Sequence, residues 1–333
     1  AGFVPGKEVR YVDVDEDVFL SNGNATGKIS NGTMNPWGVE TPGLQPSLSA
    51  DSVGALDEGT YQVAITFITA TGEESGSQPP QQIDIPEGGG ILLTTLPVPL
   101  EAQVTALRIY VSPPNEDVLY LADEIPTGEV TAYVYKWDTG YPLKTMFLDK
   151  FPPCTSLTRI GGRLVGANEN VLYWSEPLRY GLYNPAYNWM SFPSTIRAIA
   201  AVENAGVYVM TDKETSYLAG VDPAEWKQTR VLDYGAPAQQ VVYIARESFG
   251  FETNIRDVPV WLSERGFHAG LPSGIVNLTE KQIIVDSYAK IATLYREKDG
   301  IKQMVAVGAN GGASSFGVSD TAIAEVRRNG VII

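Results

Sequence analysis

Three acids end comparable strands and could line one face, as the carboxylates of a glycoside hydrolase would. Glu176, Asp212 and Glu264 each close a short apolar and aromatic run: Val171-Leu-Tyr-Trp-Ser-Glu176, Val207-Tyr-Val-Met-Thr-Asp212 and Val260-Trp-Leu-Ser-Glu264. Two carboxyls about 5–10 Å apart could work as acid and as base or nucleophile on a glycosidic bond. The plainer reading is that such acids cap turns at the ends of repeated strands. Asp13, Asp15 and Asp17 alternate with Val14 and Glu16, so on one strand they would share a face and could converge on a cation. The EF-hand spacing fails, because its glycine position is Val18 and its glutamate position is Asn24. Charges that protect a strand edge explain the three aspartates more simply.

His268 is the only histidine and Cys154 the only cysteine. Any Ser-His-Asp triad would have to use His268, yet no G-x-S-x-G elbow supplies a nucleophile. Its setting, Gly266-Phe-His-Ala-Gly270, reads as a turn or a surface position. Cys154 follows Pro152-Pro153 without a basic neighbour, which suits a small buried residue better than a thiolate. Gly88-Gly-Gly90 and Gly308…Gly311-Gly312 lack the Lys-Ser/Thr of a phosphate loop. These residues point to no enzyme, no cofactor and no metal. The remaining chemistry lies in a dense aromatic stretch: Tyr173, Trp174, Tyr180, Tyr183, Tyr187, Trp189 and Phe192. Aromatics with polar tips serve interfaces and sugar sites. Here Tyr173, Trp174, Tyr183, Tyr187, Trp189 and Phe192 read first as core or subunit contact, and second as a sugar platform.

The elements that carry these residues are strands. Gly59-Thr-Tyr-Gln-Val-Ala-Ile-Thr-Phe-Ile-Thr69 alternates with period two and ends in the turn Thr71-Gly-Glu-Glu74. Val104–Val111, Leu119–Ala122 and Thr131–Tyr135 continue a series of short strands, as in an immunoglobulin or fibronectin-III-like β-sandwich. From about 151 onward the pattern changes to strand pairs recurring every 35 to 55 residues or so, as in the blades of a β-propeller. Asp17-Val-Phe-Leu-Ser-Asn22 has the same form, which sets Ser21 and Ser175 in neighbouring repeats once the sandwich is removed. The expected organisation is an N-terminal propeller segment over 1–45, an inserted sandwich over 46–150 with its ends close together, and propeller blades over 151–333. Gln282–Arg296 has helical spacing at Ile284, Tyr288, Ile291 and Tyr295, yet the part after Ala289 reads better as strand, with Ile291–Arg296 and Gln303–Val307 as a hairpin; Thr321–Arg328 reads as a short helix or a closing strand.

Composition narrows the function. A 44% hydrophobic content supports a packed core, and 33 Gly with 22 Pro favour a turn-rich all-β protein. The net charge of −15 argues against tight nucleic-acid binding, which needs basic patches. It suits a surface that nucleic acid slides past, since like charges repel. With one cysteine no intramolecular disulfide can form, which fits assembly in a reducing cytoplasm. No apolar run approaches the ~18–20 residues of a membrane span, and Ala1–Glu8 lacks the basic head and apolar middle of a secretion signal.

Several stretches together resemble bacteriophage tail proteins. They are Tyr61 to Ser75, Leu107-Arg-Ile-Tyr110, Tyr120-Leu-Ala-Asp-Glu-Ile125, Pro152-Pro153, Gly161-Gly-Arg-Leu-Val-Gly166, Leu172-Tyr-Trp-Ser-Glu-Pro177, and Val209-Met-Thr-Asp212 through Leu218-Ala-Gly220 and Pro223. The resemblance spans about residues 10 to 270 and is to the tail nozzle proteins of short-tailed phages and related propeller-type virion proteins. It implies a non-enzymatic virion subunit, assembled in the host cytoplasm, that packs with copies of itself in a ring. It also implies neighbours such as adaptor, tail-fibre or tip proteins, and a bore through which DNA is ejected without sequence-specific binding. A receptor- or carbohydrate-binding virion module is the alternative, and a propeller glycosidase the third reading.

Overall fold

A computed structural model describes residues 3, 6–279, 290–298, 301–309, 327–328 and 331–332. The protein is all-β, built of many antiparallel sheets, with short 3-10 turns at Pro223–Glu225 and Arg246–Ser248 as its helical segments among the described residues. It divides into two units. The first comprises Ala1–Asn35, Pro152–Leu178 and Asn188–Ile333; the second comprises Pro36–Phe151 and Arg179–Tyr187.

Among the described residues, the first unit holds five four-stranded sheets that follow one another along the chain. Sheet 1 contains Arg10–Val14, Asp17–Ser21, Thr26–Ser30 and Thr33–Asn35. Sheet 2 contains Ser156–Ile160, Arg163–Asn168, Val171–Trp174 and Trp189–Ser191. Sheet 3 contains Ile196–Val202, Gly206–Thr211, Thr215–Ala219 and Gln228–Leu232. Sheet 4 contains Val242–Ala245, Asp257–Ser263, Gly266–Leu271 and Gly274–Asn277. In these four, each strand pairs antiparallel with the next. Sheet 5 begins with the hairpin Lys290–Lys298 and Ile301–Ala309, as the alternation after Ala289 predicts; Val331–Ile332 then pairs parallel with Ile301–Ala309. Gln282–Ala289 and most of Thr321–Arg328 lie outside the described residues.

Burial shows how these sheets stack. Alternate side chains of Gly206–Thr211 enter different cores. Val207 and Val209 join Val165, Leu172, Trp174 and Phe192 of sheet 2 and its exit, whereas Tyr208 and Met210 join Val260, Trp261 and Phe267 of sheet 4. A strand covered on both faces reads as a continuous apolar run, and Gly206-Val-Tyr-Val-Met-Thr211 does. The second strands of sheets 2 and 4 are likewise buried on both faces over most of their length. The second strands of sheets 1 and 5 are not. In Asp17–Ser21 only Phe19 and Ser21 are buried, and in Ile301–Ala309 Met304 and Ala306 are buried while Val307 is exposed. Among the described residues, sheets 2 to 4 are therefore covered on both sides, and sheets 1 and 5 each keep one partly exposed face.

The second unit contains two sheets around one core. One runs Tyr120–Pro126, Val104–Val111, Gly59–Thr69, Gln81–Ile85; the other runs Thr131–Val134, Gly89–Thr94, Ser47–Leu56. Tyr61, Val63, Ile65 and Phe67 meet Ile91, Leu93, Leu107 and Ile109 in that core. Burying each such side chain stabilises by roughly 1.5–3 kcal/mol. The opposite face of Gly59–Thr69 is covered as well, because Ala64 and Tyr110 pack with Leu119, Leu143 and Met146. Ser47–Leu56 is a strand that alternation does not reveal, since its polar residues are mostly exposed on both faces.

The two ends of Pro36–Phe151 meet. Trp37 stacks on Phe151 with ring centroids 5.3 Å apart, and its Nε1 donates to the Tyr180 carbonyl at 3.0 Å. Asp149–Lys150 pairs with Leu182–Tyr183, which brings the segment Arg179–Tyr187 into this unit. The approach needs glycine at two places: a Cβ on Gly38 (φ +75°) would lie 2.9 Å from the Gly181 carbonyl, and one on Gly181 would meet the Gly38 Cα.

Candidate functional site

The proposed carboxylate trio is not a set of equivalent positions. Asp212 and Glu264 leave the second strands of sheets 3 and 4, but Glu176 leaves the third strand of sheet 2. Second and third strands run antiparallel, so their exits lie at opposite ends of a sheet. The equivalence of Ser21 and Ser175 fails for the same reason: Ser21 ends a second strand, whose counterpart in sheet 2 is Arg163–Asn168. The shared Ser or Thr ending is a capping device. Ser175 Oγ accepts the Leu164 N–H at 2.9 Å, Thr211 Oγ1 accepts from Lys213 and Glu214, and Ser263 Oγ accepts from Arg265. Each acid then has a local role or faces solvent: Glu176 accepts from Asn188 Nδ2 at 2.7 Å, Asp212 pairs with Arg197 at 3.7 Å, and Glu264 is exposed.

Asp13, Asp15 and Asp17 do not share a strand face, because the chain reverses between them. Asp13 lies opposite Val18, Val14 lies opposite Asp17, and Asp15 occupies the turn with φ 54°. Asp17 is engaged by Lys28 at 3.5 Å and by the Ser30 hydroxyl. Among the described residues no group of three His, Cys, Asp or Glu could hold a metal ion.

His268 is a buried strand residue, where a turn or surface position was expected. Gly266–Leu271 pairs on both sides; Gly266 closes the preceding turn at φ +101°, and Gly270 serves close packing, since its Cβ would meet the Tyr208 ring. The imidazole Nε2 lies 2.8 Å from the Tyr234 hydroxyl, and Nδ1 lies 2.9 Å from the Gly266 carbonyl and 3.2 Å from Ser263 Oγ. The ring also stacks on Trp261. Burial holds its pKa down to about 4, so the ring is neutral at pH 7. Nδ1 carries the proton, since a carbonyl can only accept. Ser263 is itself fully buried and holds the Gly266 carbonyl, so the pair braces a hairpin and offers substrate no access. Cys154 is buried and its thiol is pushed up by burial, the reverse of an activated thiolate.

The aromatic stretch divides. Trp174 and Phe192 belong to the core between sheets 2 and 3, where Trp174 meets Trp226 edge-on at 5.6 Å. Tyr173 and Trp189 are register partners on adjacent strands of sheet 2, and Trp189 is 48% exposed. Tyr183 and Tyr187 belong to the second unit; Tyr183 meets Phe151 edge-on, and Tyr187 is 76% exposed. Two of the six, Tyr187 and Trp189, thus present large exposed rings.

One polar junction had no sequence signal. Tyr243, on the first strand of sheet 4, accepts the Ala201 N–H at 3.0 Å and lies 3.0 Å from Thr158 Oγ1. It joins the first strands of sheets 2, 3 and 4; the residue is 43% exposed, and desolvation at its bonded hydroxyl raises its pKa. In the second unit, Glu74 gathers the Thr66 hydroxyl at 2.7 Å, the Tyr110 hydroxyl at 2.6 Å and Arg108 at 3.4 Å. The turn noted at Thr71–Glu74 is anchored to the sheet through that carboxylate.

Charge is unevenly shared. The second unit has sixteen carboxylates against five basic side chains, a net of −11 out of −15. Asp57, Glu58, Asp84, Glu87, Glu116 and Asp117 sit in or beside connected turns at one of its ends, where the Glu58 N–H donates to Glu87 and the Thr60 N–H to Asn115. None of the six has an ion pair among the described residues. No helix is long and apolar enough to cross a membrane. No protein-family model matches the chain, and no curated protein matches it.

Proposed function

We propose that this chain is a structural subunit of a bacteriophage tail, of nozzle or tail-tip type. Copies assemble in a ring whose bore passes DNA during ejection. In this reading the successive four-stranded sheets are β-propeller blades, and Pro36–Phe151 is a β-sandwich threaded between the first and second. The observation that carries the reading is this order, a run of sheets interrupted once, after the first, by a two-sheet unit. The acidity of the second unit supports it, because a like-charged wall does not hold DNA. The polar junctions support it too: Tyr243, His268 and Glu74 are spent on bracing strands. Native mass spectrometry and negative-stain imaging of the full chain test it. A ring of defined copy number is expected; a monomer at every concentration, absent from purified particles, would overturn it.

The exposed rings of Tyr187 and Trp189 favour a second reading, a receptor- or glycan-binding virion module. Loss of host adsorption by a Trp189→Ala particle that assembles normally would support it. Unchanged adsorption, with no glycan bound, would remove it.

A further inference from the structure

Among the described residues, sheets 1 and 5 each keep one partly exposed face, with Phe3 packed beside Gly27 and Met34 at an edge of the first, and the two faces are complementary. On sheet 1 the open face carries Tyr11 and Asp13 from the first strand, then Leu20 and Val18 opposite them, then Ile29 and Met34. Tyr11 and Met34 are each 50% exposed. On sheet 5 it carries Ala292, Leu294 and Arg296, opposite Val307, Val305 and Gln303. Leu294 is 59% exposed. Each face is an apolar patch with charge beside it, and the charges have opposite sign. The hairpin of sheet 1 holds Asp13, Asp15 and Glu16 without ion pairs among the described residues, while the exposed face of sheet 5 holds Arg296, which donates to Gln303, and Lys290, which pairs with Glu8. Within one copy Glu8, just before sheet 1, lies 3.9 Å from Lys290 of sheet 5, and Gln240, just before sheet 4, donates to the Tyr11 carbonyl at 3.3 Å. The side chains of Tyr11 and Leu294 stay exposed.

We propose that the open face of sheet 5 in one copy packs on the open face of sheet 1 in the next. The contact repeats between chains the face-to-face packing that sheets 2, 3 and 4 make within one. Like faces would set Asp13 against Asp13 or Arg296 against Arg296, so the charges select the unlike pairing. Unlike patches make a head-to-tail contact, which closes into a ring when the rotation per copy allows. The proposal rests on the ring reading above and names its interface.

Two measurements on the full chain test it. Charge reversal comes first: Asp13→Arg and Arg296→Asp should each weaken self-association by about tenfold or more in sedimentation, and the double reversal should restore it. Both side chains are exposed, and an unchanged thermal melt would confirm folding. Cross-linking comes second. Tyr11→Cys and Leu294→Cys chains, mixed and treated with a short bismaleimide, should give a covalent dimer that neither gives alone, since Cys154 is buried. An intact ring with neither effect would overturn the interface and leave the ring standing. An intramolecular link in the Tyr11→Cys/Leu294→Cys chain, without dimer in the mixture, would show that each chain closes on itself and would also overturn it. A wild-type monomer at all concentrations would overturn the ring and this interface together.

Discussion

The Tyr243 hydroxyl lies 3.0 Å from Thr158 Oγ1, tying the first strand of sheet 4 to that of sheet 2, while the same oxygen accepts the Ala201 N–H of sheet 3. Tyr243→Phe keeps the ring and removes both bonds, leaving a strand N–H without its acceptor. It should cost about 1–3 kcal/mol in urea unfolding. The raised pKa of this phenol has a sign. Its contribution is present below the ordinary tyrosine pKa and is lost as pH rises through the higher folded value. The Phe variant should therefore lose less stability than wild type between neutral and alkaline pH.

His268 gives the opposite dependence. Its folded pKa of about 4 lies below the ordinary 6.5, so the unfolded chain binds the proton more tightly. Stability from this residue is complete above about pH 6.5 and falls as pH drops toward 4, by up to about 3 kcal/mol. Carboxylates titrate in the same window, so the measurement is a difference. Wild type should lose more stability between pH 7 and 4.5 than His268→Gln does.

Trp37→Ala should loosen the point where the ends of Pro36–Phe151 meet. It removes the Phe151 stack and the bond to the Tyr180 carbonyl from a fully buried site. A loss of about 3–5 kcal/mol is expected. Hydrogen exchange should rise first in Asp149–Lys150 and Leu182–Tyr183, ahead of Gly59–Thr69.

Glu74→Gln tests the anchor of the turn after Gly59–Thr69. The amide keeps one acceptor oxygen but cannot serve Thr66, Tyr110 and Arg108 equally. A loss of about 1–3 kcal/mol is expected. Proteolysis within Thr71–Ser77 should increase while the fold persists.

Much of the fold could be read from alternation. Tyr61, Val63, Ile65 and Phe67 share one core as their spacing demands, and the hairpin of Lys290–Lys298 with Ile301–Ala309 follows from period two. Other elements were hidden for definable reasons. Ser47–Leu56 buries almost nothing, so it has no apolar rhythm. Ser175 mimics Ser21 because strand ends of either direction use the same hydroxyl cap. His268 sits between Gly266, which closes a turn, and Gly270, which looks like a turn residue but permits close packing of a paired strand. Asp13 and Asp17 are separated by a reversal whose signal, an aspartate at positive φ, does not stand out in a run of five alternating residues. The site was less legible than the fold. Tyr243 acts through partners 42 and 85 residues away in sequence, and no local spacing announces that.

The meeting of Trp37 and Phe151 has a consequence for how such a chain can diversify. In the first unit the Cys154 N–H donates to Ser21 Oγ at 2.7 Å, so the chain that flanks this segment in sequence is drawn together as well. A segment gathered at its own neck behaves as a cassette. Its distal sheets can be lengthened or exchanged while the neck, Trp37 and Phe151 with the strand Leu182–Tyr183, keeps its place.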